Sequence, residues 1–187
     1  AIQTSTLKML DQEIVDLLKI LVKNSGVKTI EAVASLPAFS AFTTLLEIPT
    51  MSTEDMTKAI QFQAKQYIPL PISAVTIDWV KVGEKTDAQG NALQQILLVS
   101  VPNEQIQKYR SIFKAAGLNL TSLEIEGLSL ARVLAADEKQ TVMIIDIGSR
   151  STSVSIARDG YLKFVGQTDF AGGSLTQTIS SGLNIRV

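Results

Sequence analysis

A nearly unbroken apolar run at residues 141–147 ends in Asp146-Ile147-Gly148. Such a run reads as a central strand, and the glycine after it permits a tight turn. Residues 152–157 alternate as a second strand, Arg158-Asp159-Gly160 makes a hairpin turn, and residues 161–165 form a third strand. Gly172-Gly173 then opens a helix carrying Leu175 and Ile179.

The chemistry of this stretch is concentrated at Asp146-Ile147-Gly148-Ser149-Arg150-Ser151-Thr152. The first strand delivers Asp146 to its carboxyl end, and Gly148 lets backbone approach a ligand closely. The hydroxyls of Ser149, Ser151 and Thr152, with the amides of the turn around Arg150, can face phosphate oxygens. The Asp146 carboxylate can hold Mg²⁺ through water or orient an attacking water. Gly172 and Gly173, just before a helix, offer a second place where amides meet an anion. The same residues equally suit an ordinary β-hairpin with a glycine turn.

Upstream, residues 7–23 have helical spacing, with Leu10, Ile14, Leu17, Leu18 and Leu21 on one stripe. Gly26 suits the left-handed conformation just past a helix end. Extended segments follow at residues 30–35 and 40–48, the second stopped by Pro49. Ser52 caps a helix running to about Ile68, where Pro69 and Pro71 forbid continuation. Strands are expected at residues 75–82 and 94–101, the latter buried on both faces through Ile96-Leu97-Leu98-Val99. The polar stretch 83–91 between them reads as a mobile hairpin loop. Asn103 is expected to cap a helix ending at Ala116, with Ile106, Tyr109, Ile112, Phe113 and Ala116 buried. A strand at 120–125, a helix at 128–136 and a charged connector at 137–140 complete the order.

Composition removes several function classes. The 187 residues include no Cys and no His, which excludes thiolate and histidine-based catalysis and most transition-metal sites. A net charge of -1 and 5% aromatic content offer nucleic acid neither a basic field nor a stacking platform. No segment has the apolar length of a transmembrane helix. The start at Ala1, without a Met, is expected to be a cut or processed end.

Asp146, Gly148 and Thr152, followed by Asp159-Gly160 and by Phe170-Ala171-Gly172-Gly173, resemble the second phosphate loop of the actin, Hsp70 and sugar-kinase superfamily. Three further pieces narrow the likeness. Ser35-Leu36-Pro37-Ala38-Phe39-Ser40-Ala41-Phe42-Thr43, Glu47-Ile48-Pro49 and Ala64-Lys65-Gln66-Tyr67-Ile68-Pro69-Leu70-Pro71 resemble the pattern of the type IV pilus assembly protein PilM family. The cell-division protein FtsA shares the same plan, but the Tyr-Ile-Pro-Leu-Pro stretch is more similar to PilM.

The resemblance implies a mixed α/β, partial actin-like (ribonuclease-H-like) fold carrying an inserted strand-helix-strand-strand (SHS2-type) subdomain. Residues 1–37 and 102–137 would belong to subdomain 1A, 38–101 to subdomain 1C and 138–187 to the start of subdomain 2A, with both ends of the parent lacking. It further implies a cytoplasmic adaptor at the inner face of the inner membrane, held there through its partner. That partner would be the N-terminal tail of a PilN-like membrane protein, with other platform or motor proteins and possible self-association. ATP and Mg²⁺ are the implied ligands of the full-length parent, at Asp146, Gly148, Ser149, Arg150, Ser151, Thr152, Gly172 and Gly173. The chain as given is expected to bind ATP weakly or not at all and not to act as a turnover enzyme, and no catalytic residue is assigned. Phe62, Tyr67, Ile68 and Leu70 read either as joint packing or as a wall of the partner groove. Rival readings are an FtsA-like filament protein, a sugar-kinase-like phosphotransferase fragment and a standalone interaction module.

Overall fold

The computed structural model describes residues 9–186. They form two compact units. Residues 9–42, 51–79 and 98–126 make the first, and 43–50, 80–97 and 127–186 the second.

The first unit opens with α1 (Asp11–Ser25), closed by Gly26 at φ 69° as its sequence suggests. Residues 7 and 8 of the expected helix lie outside the described residues. Its covered face differs from the expected one. Val15 is buried and Ile14, Leu18 and Val22 are half-buried, whereas Leu10, Leu17 and Leu21 are exposed. The helix carries two adjacent apolar lines. The line that packs is chosen by α3 (Asn103–Ala115), to which Asp11 is bridged through Lys108 at 3.0 Å. Strand β1 (Glu31–Leu36) pairs in parallel with β5 (Asn119–Ile125), and the Asn119 amide group bonds the Glu31 carboxylate across the pair.

Helix α2 (Thr53–Tyr67) follows its sequence signals closely. Ser52 Oγ accepts the amide of Asp55, and Met56, Ile60 and Ala64 form the buried line at four-residue spacing. Asn103 departs from expectation. It is the first residue of α3, and its side chain does not cap the helix. Instead Thr76 donates to Asn103 Oδ1 at 2.8 Å, and Asn103 Nδ2 donates to the Ser73 carbonyl at 3.1 Å. Pro102 holds the extended backbone at the cap position, so the Asn side chain is free to tie the start of the neighbouring strand.

Strands β2 (Phe42–Pro49), β3 (Val75–Thr86) and β4 (Ala92–Pro102) form a sheet in the order β2-β4-β3. The central place of β4 agrees with its apolar run, since Ile96, Leu97 and Leu98 are all buried. A short 3-10 turn at Ala38–Ser40 precedes β2, so the extended stretch begins later than expected. The first four residues of the expected loop 83–91 continue β3, and the turn is confined to residues 87–91. Lys85 on β3 reaches Glu47 on β2 at 3.0 Å, with Gln95 of β4 also bonded to that carboxylate. The remaining turn is tied by Asp87, whose Oδ1 accepts the amides of Gln89 and Asn91. These bonds, led by that from the Asn91 side chain, hold the Asp87 carboxyl below its ordinary range.

In the second unit, β6 (Val142–Ile147), β7 (Thr152–Arg158) and β8 (Tyr161–Thr168) make an antiparallel sheet in that order. The expected central place of β6 does not hold among the described residues. Strand β7 is its single partner there, and Met143, Ile145 and Ile147 are exposed along one face. Helix α4 (Glu126–Leu134) begins two residues earlier than its sequence suggests. The hairpin at Asp159-Gly160 has both residues at positive φ, as an Asp-Gly turn prefers, and the Gly160 amide donates to the Ala135 carbonyl at 2.6 Å. Lys163 on β8 donates from Nζ to the Val82 carbonyl and to Gln95 Oε1. Burial pushes the ammonium pKa down from the ordinary lysine value.

Candidate functional site

The turn after β6 is built on short backbone contacts. The Gly148 amide donates to the Ser151 carbonyl at 3.0 Å, which closes the turn 148–151. The two glycines that open α5 (Gly172–Leu183) then bond directly to it. Gly172 N donates to the Gly148 carbonyl at 2.9 Å, and Gly173 N to the Ser149 carbonyl at 2.8 Å. Thr152 Oγ1 donates to the Phe170 carbonyl at 2.7 Å.

The structure therefore brings Gly148, Ser149, Ser151, Thr152, Gly172 and Gly173 into one connected feature, with Asp146 half-buried two residues before the turn. It also shows why glycine is used there. A Cβ on Gly173 would lie 2.6 Å from the Ser149 carbonyl oxygen, and one on Gly172 3.2 Å from that of Gly148. The space is taken by the neighbouring backbone.

This arrangement bears on the implied nucleotide. The amides of Gly172 and Gly173 are already donated to carbonyls, and the Thr152 hydroxyl proton is committed to Phe170. The groups left to meet an anion are the turn around Ser149 and Ser151 and their hydroxyls. The described residues hold no cluster of three or more carboxylates for a metal ion.

The four aromatic and aliphatic residues at the end of α2 separate on folding. Ile68 is buried at 7% exposure, Leu70 is half-buried, and Tyr67 and Phe62 are exposed. Phe62 lines a groove of about 700 Å³, whereas Tyr67, Ile68 and Leu70 do not. Its other wall comes from the start of β3, with Val75, Ile77 and Trp79. In the sequence these three alternate with Thr76 and Asp78, as in an ordinary strand. Their alternation marked them as one face, but not that α2 leaves part of that face open.

Among the described residues no helix is long and apolar enough to cross a membrane. The fold matches that of a PilM-PilN type IV pilus biogenesis complex with a TM-score of 0.80 at 20% identity, covering 98% of this chain and 58% of that one. It also matches the cytoplasmic domain of EpsL, an inner membrane component of the type II secretion system of Vibrio cholerae. There the TM-score is 0.59 at 12% identity, with 83% of this chain and 56% of that one covered. The chain thus spans less than two thirds of either protein, and the mixed α/β, partial actin-like fold implied by the sequence holds. A family model described as type IV pilus assembly protein PilM matches residues 1–187, and the chain belongs to that family.

Proposed function

We propose that this chain is the adaptor portion of an actin-like protein of the type IV pilus inner-membrane platform. In this reading it binds the N-terminal tail of a PilN-like membrane protein at the cytoplasmic face of the membrane. The family match along the full chain carries the reading, and the fold shared with a PilM-PilN complex supports it. Residues 38–101 would be the inserted subdomain 1C, with 1–37 and 102–137 from subdomain 1A and 138–187 from subdomain 2A. Of the four residues expected at the tail, Tyr67 and Leu70 are the ones proposed for it, since Ile68 is core and Phe62 lines the separate groove between α2 and β3.

Nucleotide belongs to the longer parent in this proposal, and Asp146, Ser149, Arg150 and Ser151 would contribute one side of its phosphate site. The amides of Gly172 and Gly173 are donated to the loop carbonyls, which leaves the turn itself as the part that would face phosphate. Two titrations test the reading. A synthetic PilN tail peptide should bind the chain saturably, and Tyr67→Ala or Leu70→Ala should weaken it with little change in melting temperature. Mg-ATP should give no saturable signal in the micromolar range, and tight binding would overturn this part of the proposal.

A further inference from the structure

We propose that the groove between α2 and β3 is a second peptide site. It takes an extended segment of a partner protein in which apolar side chains alternate with acidic ones, added as a further strand on the free edge of β3. Among the described residues β3 pairs with β4 alone, so its other edge has no strand partner along residues 75–79. Protein sheets normally blunt such edges with lysine, proline or a bulge. Residues 75–79 read Val-Thr-Ile-Asp-Trp, which are strand-favouring apart from Asp78. That one charge is folded back onto its own chain, where Asp78 Oδ1 accepts the Trp79 amide at 2.8 Å. A local bond of this kind is what an incoming strand replaces.

The groove chemistry selects the occupant. Ile77 and Trp79 are half-buried along its β3 wall, and Phe62 stands on its α2 wall with 69% of its surface exposed. An apolar side chain at every second position of an added strand would cover them. Two lysines, Lys58 and Lys65, line the groove against the single carboxylate of Asp78. Lys58 is bridged to Glu54 at 2.8 Å, and both members of that pair are well exposed. Lys65 has no carboxylate within ion-pair distance among the described residues, so a side chain pointing out of the groove toward it is favoured when acidic.

Trp79 is the sole tryptophan of the chain, and its emission reports on the groove directly. The probe is a short, end-blocked peptide of alternating Leu and Glu. One control replaces Glu by Lys, and a second carries N-methyl groups on alternate backbone amides. The Leu/Glu peptide is expected to shift Trp79 emission saturably and to slow amide exchange in residues 75–79. Both controls should bind about tenfold more weakly, a margin of about 1.4 kcal/mol. Lys65→Glu should reverse the charge preference. Phe62→Ala should weaken binding without altering the melting curve, since Phe62 is on the surface. Equal binding of all three peptides, or no saturable shift with the Leu/Glu peptide, overturns the proposal. Tyr67→Ala should leave this site unaffected, so its failure and that of the tail reading are separable.

Discussion

The amide of Gly173 donates to the carbonyl of Ser149 at 2.8 Å, and the contact is possible because Gly173 has no Cβ. One bond joins the first turn of α5 to the loop after β6. With the Gly172 bond beside it, the helix start and the loop become a single rigid feature. Substituting alanine at Gly173 puts a methyl against backbone, which has nowhere to move. We expect Gly173→Ala to destabilise the chain by about 1–3 kcal/mol. Gly182 lies in the same helix with open space around it, so Gly182→Ala should be neutral or stabilising by about 0.5–1 kcal/mol. Chemical denaturation of the two variants checks the pair, and equal effects would sink the account of the loop.

Ile68 separates stability from binding. Its side chain is buried at the C-terminal end of α2, next to the exposed Tyr67. Ile68→Ala should cost about 2–4 kcal/mol through the cavity it leaves. Tyr67→Ala should move the midpoint of denaturation far less. Comparable losses at both positions would show that Tyr67 also packs.

Lys163 gives a pH signature. Burial lowers its pKa in the folded state, so the unfolded chain binds its proton more readily than the folded one. Its contribution is therefore fully present above the ordinary lysine pKa. It is lost as pH falls through the lowered, folded value. Lys163→Met removes this slope while also taking away the bonds to Val82 and Gln95. The stability difference between wild type and variant should thus shift in favour of wild type as pH rises through that window. Denaturant midpoints measured along an alkaline series decide it, and a constant difference would contradict the assignment.

Ser155 carries a buried hydroxyl without a hydrogen-bond partner among the described residues. Removing an unsatisfied polar group relieves its desolvation penalty. Ser155→Ala should be neutral or stabilising by about 1 kcal/mol. A loss of similar size, measured by thermal or urea unfolding, would mean that the hydroxyl contributes to packing there.

Local chemistry was legible in the sequence wherever a few neighbouring residues decide the outcome. Ser52 and the prolines at 69 and 71 bounded α2, Gly26 closed α1, and Asp159-Gly160 made the expected turn. The letters of the phosphate-like loop also marked residues that do meet in space, although residues 148–152 and 172–173 lie some twenty positions apart.

What the tertiary structure alone decided was which surfaces are covered and which polar groups are used. Ile96-Leu97-Leu98 and Val142 to Ile147 are both apolar runs, yet β4 is central and β6 has one described neighbour. Strand count on either side is a property of the assembled sheet, and no residue within the run encodes it. Likewise, the amides of Gly172 and Gly173 were visible as possible anion donors. Only the approach of the loop after β6 shows that carbonyls at 2.9 and 2.8 Å already hold them. The run ending in Asp146 determined a strand and a tight turn, because periodicity and glycine act locally. Its pairing with β7 alone among the described residues, and the use of its glycine turn to anchor α5, came from contacts made far along the chain.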